Sequence, residues 1–152
     1  MPDWITHVLI AWTLTTILGF RFKQFNQPNS AIVILGALIP DIYKIYLLVD
    51  TVGLQLIHIP FHLPVFSLLL GGLITLFFER KKQIFSLLTL GIFTHYALDI
   101  LLFNGGIAIL YPFSPIKWQI GIISVTDYNI TIISIIVSII VYFIYTKNNN
   151  TK

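Results

Sequence analysis

Five apolar stretches, at residues 4–20, 31–48, 61–78, 84–103 and 129–146, constrain this chain more than any other feature. A helix that crosses a bilayer needs roughly 20 mostly apolar residues, and all five approach that length. The resulting expectation is an all-α integral membrane protein. It is a bundle of about five transmembrane helices forming a single domain over residues 1–146, with a polar C-terminal tail at 147–152. Residues 104–128 interrupt the pattern with Gly105-Gly106, Pro112, Pro115 and Trp118. They read as a short interfacial or re-entrant segment before the last span, with room for one short helix. Composition agrees, since 57% of the 152 residues are hydrophobic and only 10% are charged. A soluble domain carries about 25% charged residues to wet its surface, so much of this surface must face lipid.

The first stretch has no basic segment before it and no A-x-A-like cleavage site, and so reads as a retained helix. The fifth is Ile-rich and has no ionisable group, as expected of a plain anchor. Orientation follows from Lys and Arg near the span ends. Arg21 and Lys23 follow the first span, Arg80, Lys81 and Lys82 the third, and Lys147 and Lys152 the fifth. Alternating spans place all of these on one side, the cytoplasmic one, and leave only Lys44 and Lys117 opposite. The expectation is a multi-pass protein of the cytoplasmic (inner) membrane, N-terminus outside and C-terminus inside. The basic residues form short clusters between apolar runs, which gives no nucleic-acid surface.

The rare ionisable groups gather toward the outer leaflet. His7 lies near the outer end of span one, Asp41 in the outer half of span two, and His58 and His62 at the outer start of span three. His95 and Asp99 lie in the outer half of span four, while the inner halves hold no ionisable residue. Ionisable groups inside a membrane are costly, and they mark functional sites by default. His95 and Asp99 are four residues apart and share one helical face. They can chelate one ion together, or Asp99 can orient His95 from outside the coordination sphere. His58 and His62 repeat the interval, but Pro60 and Pro64 argue against a continuous helix, which is expected to begin near Phe61 or His62. Asp41 follows Pro40 and can also be read as a turn residue paired with Lys44.

The donors are nitrogen and oxygen only, because the chain has no cysteine. That set suits zinc first, with manganese or iron as alternatives, and its size allows one or two ions. A pair of metal ions about 3.5–4 Å apart is a recurrent device for phosphoester hydrolysis. No G-x-S-x-G, H-E-x-x-H, P-loop or G-x-G-x-x-G motif is present, so serine hydrolase, zincin and nucleotide readings lose their usual signals.

At these residues the sequence resembles the YdjM-like family of membrane-bound, metal-dependent hydrolases. The matching blocks are Thr6-His7, Gly36-Ala37-Leu38-Ile39-Pro40-Asp41, and His58 to His62. Thr94-His95-Tyr96-Ala97-Leu98-Asp99 and the run from Gly105-Gly106-Ile107 to Leu110-Tyr111-Pro112-Phe113-Ser114 follow. The resemblance implies metal ligation by His7, Asp41, His62, His95 and Asp99, with His58 as a further ligand or a support to one. It also implies a catalytic role for Asp41 and Asp99, and a distant likeness to zinc-dependent phospholipase C. The chain departs from the family where P-D-x-D-H is common, reading Pro40-Asp41-Ile42-Tyr43-Lys44. It departs again where H-R-G-x-T-H-S is common, reading His58-Ile59-Pro60-Phe61-His62, one residue shorter and without the Arg. Leu102 stands where the family places a Thr after the final Asp. Lys44 is a candidate replacement for the missing Arg as a phosphate contact, and Tyr96 a second candidate substrate contact. The implied activity is hydrolysis of a phosphoester, such as a phospholipid headgroup, at the extracytoplasmic face, with membrane lipid as both partner and substrate. The alternative is an ion- or metal-binding membrane protein or transporter without hydrolytic activity.

Overall fold

The computed structural model describes residues 4–25, 27–45, 62–103, 106–124 and 128–150, with side chains for all of these except 43–45 and 149–150. Among the described residues five α-helices run in order: α1 (Trp4–Gly19), α2 (Gln27–Leu38), α3 (Pro64–Thr75), α4 (Lys81–Ile100) and α5 (Asn129–Asn150). A short 3-10 turn (Lys23–Phe25) precedes α2, and a longer 3-10 segment (Ile39–Ile45) continues it. Among the described residues there is no β-strand, only two isolated bridges.

The element ends differ from the hydropathy spans for local reasons. The helix expected at 31–48 starts at Gln27, because Pro28 in the first turn gives up an N–H that has no intrahelical acceptor anyway. It leaves α geometry after Leu38, where Pro40 can donate no hydrogen bond back to the helix, and tightens to 3-10 through Ile45. Residues 46–48 lie outside the described residues. The helix expected to open near Phe61 or His62 opens at Pro64 instead, after an extended Leu63 (φ −98°, ψ 136°). α4 begins at Lys81 rather than residue 84 and ends at Ile100 rather than residue 103. α5 runs to Asn150, so most of the expected polar tail is helical, with Lys147 favourably placed in the last turn. Residues 106–124 contain no helix, and the short helix allowed within 104–128 is absent among the described residues.

By length and composition, α4 and α5 are long and apolar enough to cross a membrane, while α1 and α3 are shorter apolar helices. The direction in which side chains face is equally informative. A helix at a water surface buries its apolar residues and exposes its polar ones. α5 does the reverse: Ser134 and Ser138 are buried, while Ile132, Ile133, Ile136, Ile139, Ile140 and Phe143 are exposed. α1 likewise buries Thr6, His7, Thr13, Thr15 and Thr16 and exposes Ile5 and Ile17.

The inward stripes of α1 and α5 meet. Thr6 and Thr131 hydroxyls are 2.9 Å apart, and so are those of Thr13 and Ser138, each pair separated by 125 positions. The Phe20 and Tyr145 rings, at the same offset, have centroids 6.3 Å apart. A constant offset means that α1 and α5 run parallel. α2 and α4 pack still closer, backbone on backbone. A Cβ added at Gly91 would strike Val33 and Ala37 backbone atoms, and one added at Gly36 would strike Leu88. Small residues at such crossings let helices approach where lipid supplies no hydrophobic drive.

Around this crossing lie two apolar clusters. One comprises Ala11, Val33, Ala37 and Leu87, and the other Ile39, Ile84, Leu88, Ile92, Tyr96 and Ile107. Ile107 comes from the non-helical segment, which folds back beneath the end of α4. There Ile120 N–H donates to Ile100 O at 2.7 Å, and Ile122 and Ile123 donate to Leu101 O at 2.8 and 3.0 Å. These bonds satisfy carbonyls that a helix C-terminus otherwise leaves without donors.

Candidate metal centre

His7 lies on the buried side of the first turn of α1, and His95 and Asp99 on the buried side of α4. Asp41 comes from the 3-10 segment after α2, and His62 from the chain two residues before α3. The fold therefore brings four separate stretches of chain together at one end of the helices.

Asp99 is the hub. Its Oδ2 is 2.9 Å from His62 Nε2 and 3.3 Å from His95 Nε2, and its Oδ1 is 3.6 Å from His7 Nε2. Asp41 Oδ1 is 3.6 Å from His62 Nδ1 and 3.9 Å from His95 Nε2. Two triads result, His7/His95/Asp99 and Asp41/His62/His95, each with its donor atoms mutually within 4.8 Å. His95 belongs to both. The His7 and His95 rings stack at 3.9 Å and 13°, and His62 meets His95 edge-on at 5.4 Å. Four of the five side chains are no more than 1% exposed, while His62 is 17% exposed.

His95 shows what this arrangement can hold. Its Nδ1 is 2.7 Å from the carbonyl oxygen of Ala37, and a carbonyl only accepts, so Nδ1 carries the proton. Nε2 faces inward, buried, 3.3 Å from Asp99 Oδ2 and 3.9 Å from Asp41 Oδ1, and in the neutral imidazole it offers its lone pair toward these two carboxylates. A neutral imidazole fixed in this way by a backbone carbonyl is the usual form of a metal-binding histidine. Two buried carboxylates also need positive charge nearby to offset their desolvation. The donor set fits a divalent cation on both counts.

His7, Asp41, His62, His95 and Asp99, expected together, are brought together. Tyr96 stands beside them, its ring edge-on to His62 at 5.7 Å and its hydroxyl 2.7 Å from Ser67 Oγ. His58 and the side chain of Lys44 lie outside the described residues. Sequence reasoning missed three groups: the Ala37 carbonyl, the Pro40 carbonyl 3.4 Å from His62 Nδ1, and the Ser67 hydroxyl. Pro40 was the available signal for the first, because a proline just past a helix leaves that helix's last carbonyls short of donors.

A sequence model describing the YdjM inner membrane protein family matches residues 1–151. No curated protein and no solved structure matches the chain.

Proposed function

Because this chain belongs to the YdjM inner membrane protein family, we propose that it is a membrane-bound, metal-dependent hydrolase of a phosphoester. Its substrate is a lipid headgroup reached at the extracytoplasmic face. One observation carries the reading: five nitrogen and oxygen donors converge as two triads sharing His95. What a divalent cation supplies in such a set is acidity, since water beside it ionises near pH 7 rather than at about 15.7. The remaining work falls to the protein. His7, His62 and His95 would supply nitrogen ligands, with His95 oriented by the Ala37 carbonyl. Asp41 and Asp99 would hold the cation, and an Asp oxygen turned toward the incoming water would take its proton as the water oxygen bonds to phosphorus and return that proton to the ester oxygen that departs as the P–O bond breaks. Burial of the set keeps bulk water away, and His62 lies where a phosphate oxygen would enter.

The parallel course of α1 and α5 supports an odd number of crossings, with the termini on opposite faces. The non-helical segment exposes Tyr111, Phe113 and Trp118 at the end of α4 that carries the site, as an interfacial segment would. α2 with its 3-10 continuation reaches roughly 30 Å, the thickness of a bilayer core. α3, at 12 residues, is the short member of the five-span reading.

The test is metal content of the purified protein beside hydrolysis of a phospholipid panel, for the native chain, His95→Ala and Asp99→Ala. About one or two zinc ions per native chain, lost together with hydrolysis in both variants, is the expected result. Undiminished metal in the variants would sink the reading. Metal without hydrolysis, joined to metal uptake by proteoliposomes, would move the site to an ion-binding or transport role.

A further inference from the structure

Asp41 faces two ways. Besides the metal-site donors, it lines a groove of about 180 Å³ bounded by Trp4 of α1, Leu35 and Leu38 of α2, Ile39 and Ile42 of the 3-10 segment, and Ile74 of α3. Leu35, Leu38, Ile39 and Ile42 recur at helical spacing, so they form one continuous apolar stripe that ends at the carboxylate. Leu35 and Ile42 in its lining are exposed apolar side chains, so the groove opens on an apolar surface. Asp41 and the Trp4 indole are the polar groups in the lining. The Trp4 Nε1 atom is buried and donates to nothing, an expensive state for an indole N–H.

We propose that this groove seats the alkyl chain of a membrane lipid, whose polar head is thereby delivered to the metal site from the bilayer side. The inference rests on the hydrolase reading for what happens to the head, but not for the binding of the chain. Three observations select the occupant. The stripe is apolar along its length, which suits a hydrocarbon and excludes a polar peptide or sugar. The lining also carries two polar residues, Trp4 with an indole N–H that makes no hydrogen bond and Asp41 of the candidate site, and a small turn of the indole would offer that N–H to a lipid ester or phosphate oxygen. The volume is right for a stretch of chain, since an aliphatic cavity of roughly 150 Å³ takes up a benzene molecule while staying dry. An isolated headgroup in water would use neither the stripe nor the indole.

The experiment fills the groove without touching a metal ligand. Ile74→Trp and, separately, Ile42→Trp on the exposed rim are purified in mild detergent beside the native chain and Trp4→Phe. Bound phospholipid is counted by native mass spectrometry, with metal content as the control that the fold and the site persist. Hydrolysis of dioleoyl- and dibutyryl-phosphatidylglycerol is compared in parallel. The native chain should retain one lipid, and the groove-filling variants should lose it while keeping their metal. The long-chain to short-chain rate ratio should fall roughly tenfold or more in the Trp variants, the effect of burying fewer than two methylenes. In Trp4→Phe retention should weaken without vanishing. Lipid retention and a rate ratio unchanged in both Trp variants would overturn the proposal. Lipid lost from the variants with neither ester cleaved by the native chain would leave the groove standing and sink the hydrolase reading instead. Should one Trp variant fail to fold, as loss of its metal would show, the other decides.

Discussion

The imidazole of His95 on α4 donates its Nδ1 proton to the carbonyl of Ala37 on α2 across 2.7 Å, at the crossing where Gly36 and Gly91 let the two backbones touch. The geometry of the candidate metal site and the close backbone crossing of α2 and α4 are therefore one feature. Gly91→Ala tests that link. Its new Cβ would meet backbone atoms of Val33, Gly36 and Ala37, none of which can swing aside. The expected cost is about 1–3 kcal/mol of stability. A weakening of metal affinity by about 10–100-fold should accompany it, because the carbonyl that orients His95 is pushed away. Gly72→Ala is the control, since its Cβ would meet only Phe85 at an ordinary 3.8 Å. Thermal unfolding and competitive metal titration of both variants measure the two effects.

Metal removal should lower the melting temperature of the native chain. A ligand held at a hundred times its dissociation constant stabilises the folded state by about 2.7 kcal/mol, and chelation removes that contribution. In Asp99→Asn, where the hub carboxylate of the site is gone, the melting temperature should be the same with and without chelator. A chelator-dependent shift of native size in Asp99→Asn would contradict the ligand assignment.

Tyr96→Phe removes the hydroxyl that sits 2.7 Å from Ser67 Oγ and leaves the ring against His62 in place. A loss of about 1 kcal/mol in stability is expected, the usual net worth of one such hydrogen bond. Metal content should hold, since the ring still supports His62. Unfolding in detergent and elemental analysis check the two halves of the prediction.

The hydroxyl contacts between α1 and α5 should be worth little individually. In membrane bundles such pairs average about 0.6 kcal/mol and reach about 1.7 kcal/mol at most. A double-mutant cycle with Thr13→Val and Ser138→Ala should return a coupling in that range. A coupling of zero would mean that the parallel register is held by packing alone.

The chain has no cysteine, so a single introduced thiol reports its own location. A cysteine at Asp3 should react with an impermeant maleimide added to intact spheroplasts, and one at Lys152 only after lysis. The same side for both would refute the five-crossing arrangement.

The five donors were legible because Asp and His inside apolar runs stand out against a bilayer that penalises them. Their assembly was legible only in part. The i,i+4 interval joined His95 to Asp99, but nothing in local spacing says that His7 stacks on His95 or that His62 bridges Asp41 and Asp99. Helix ends were misread wherever polar residues continued a helix beyond its apolar run, as at Gln27–Ser30 and Lys147–Asn150. Hydropathy measures what lipid tolerates rather than what the backbone can do. Pro64 set the start of α3 more firmly than the histidines before it. The Ser and Thr stripes of α1 and α5 went unread because such residues are tolerated anywhere on an isolated membrane helix, and only the partner shows which side they serve.

The parallel pairing of α1 with α5 also has a consequence in time. All five donors of the candidate site precede Leu101, so every one of them is made before the last third of the chain. α1, the first helix synthesised, finds its hydroxyl partners last, since Thr131 and Ser138 follow Thr6 and Thr13 by 125 residues. Until then its inward face is held by α2 and by His7 in the site. The residues of α5 are thus made after every donor of the candidate site, and they cover the inward face of α1.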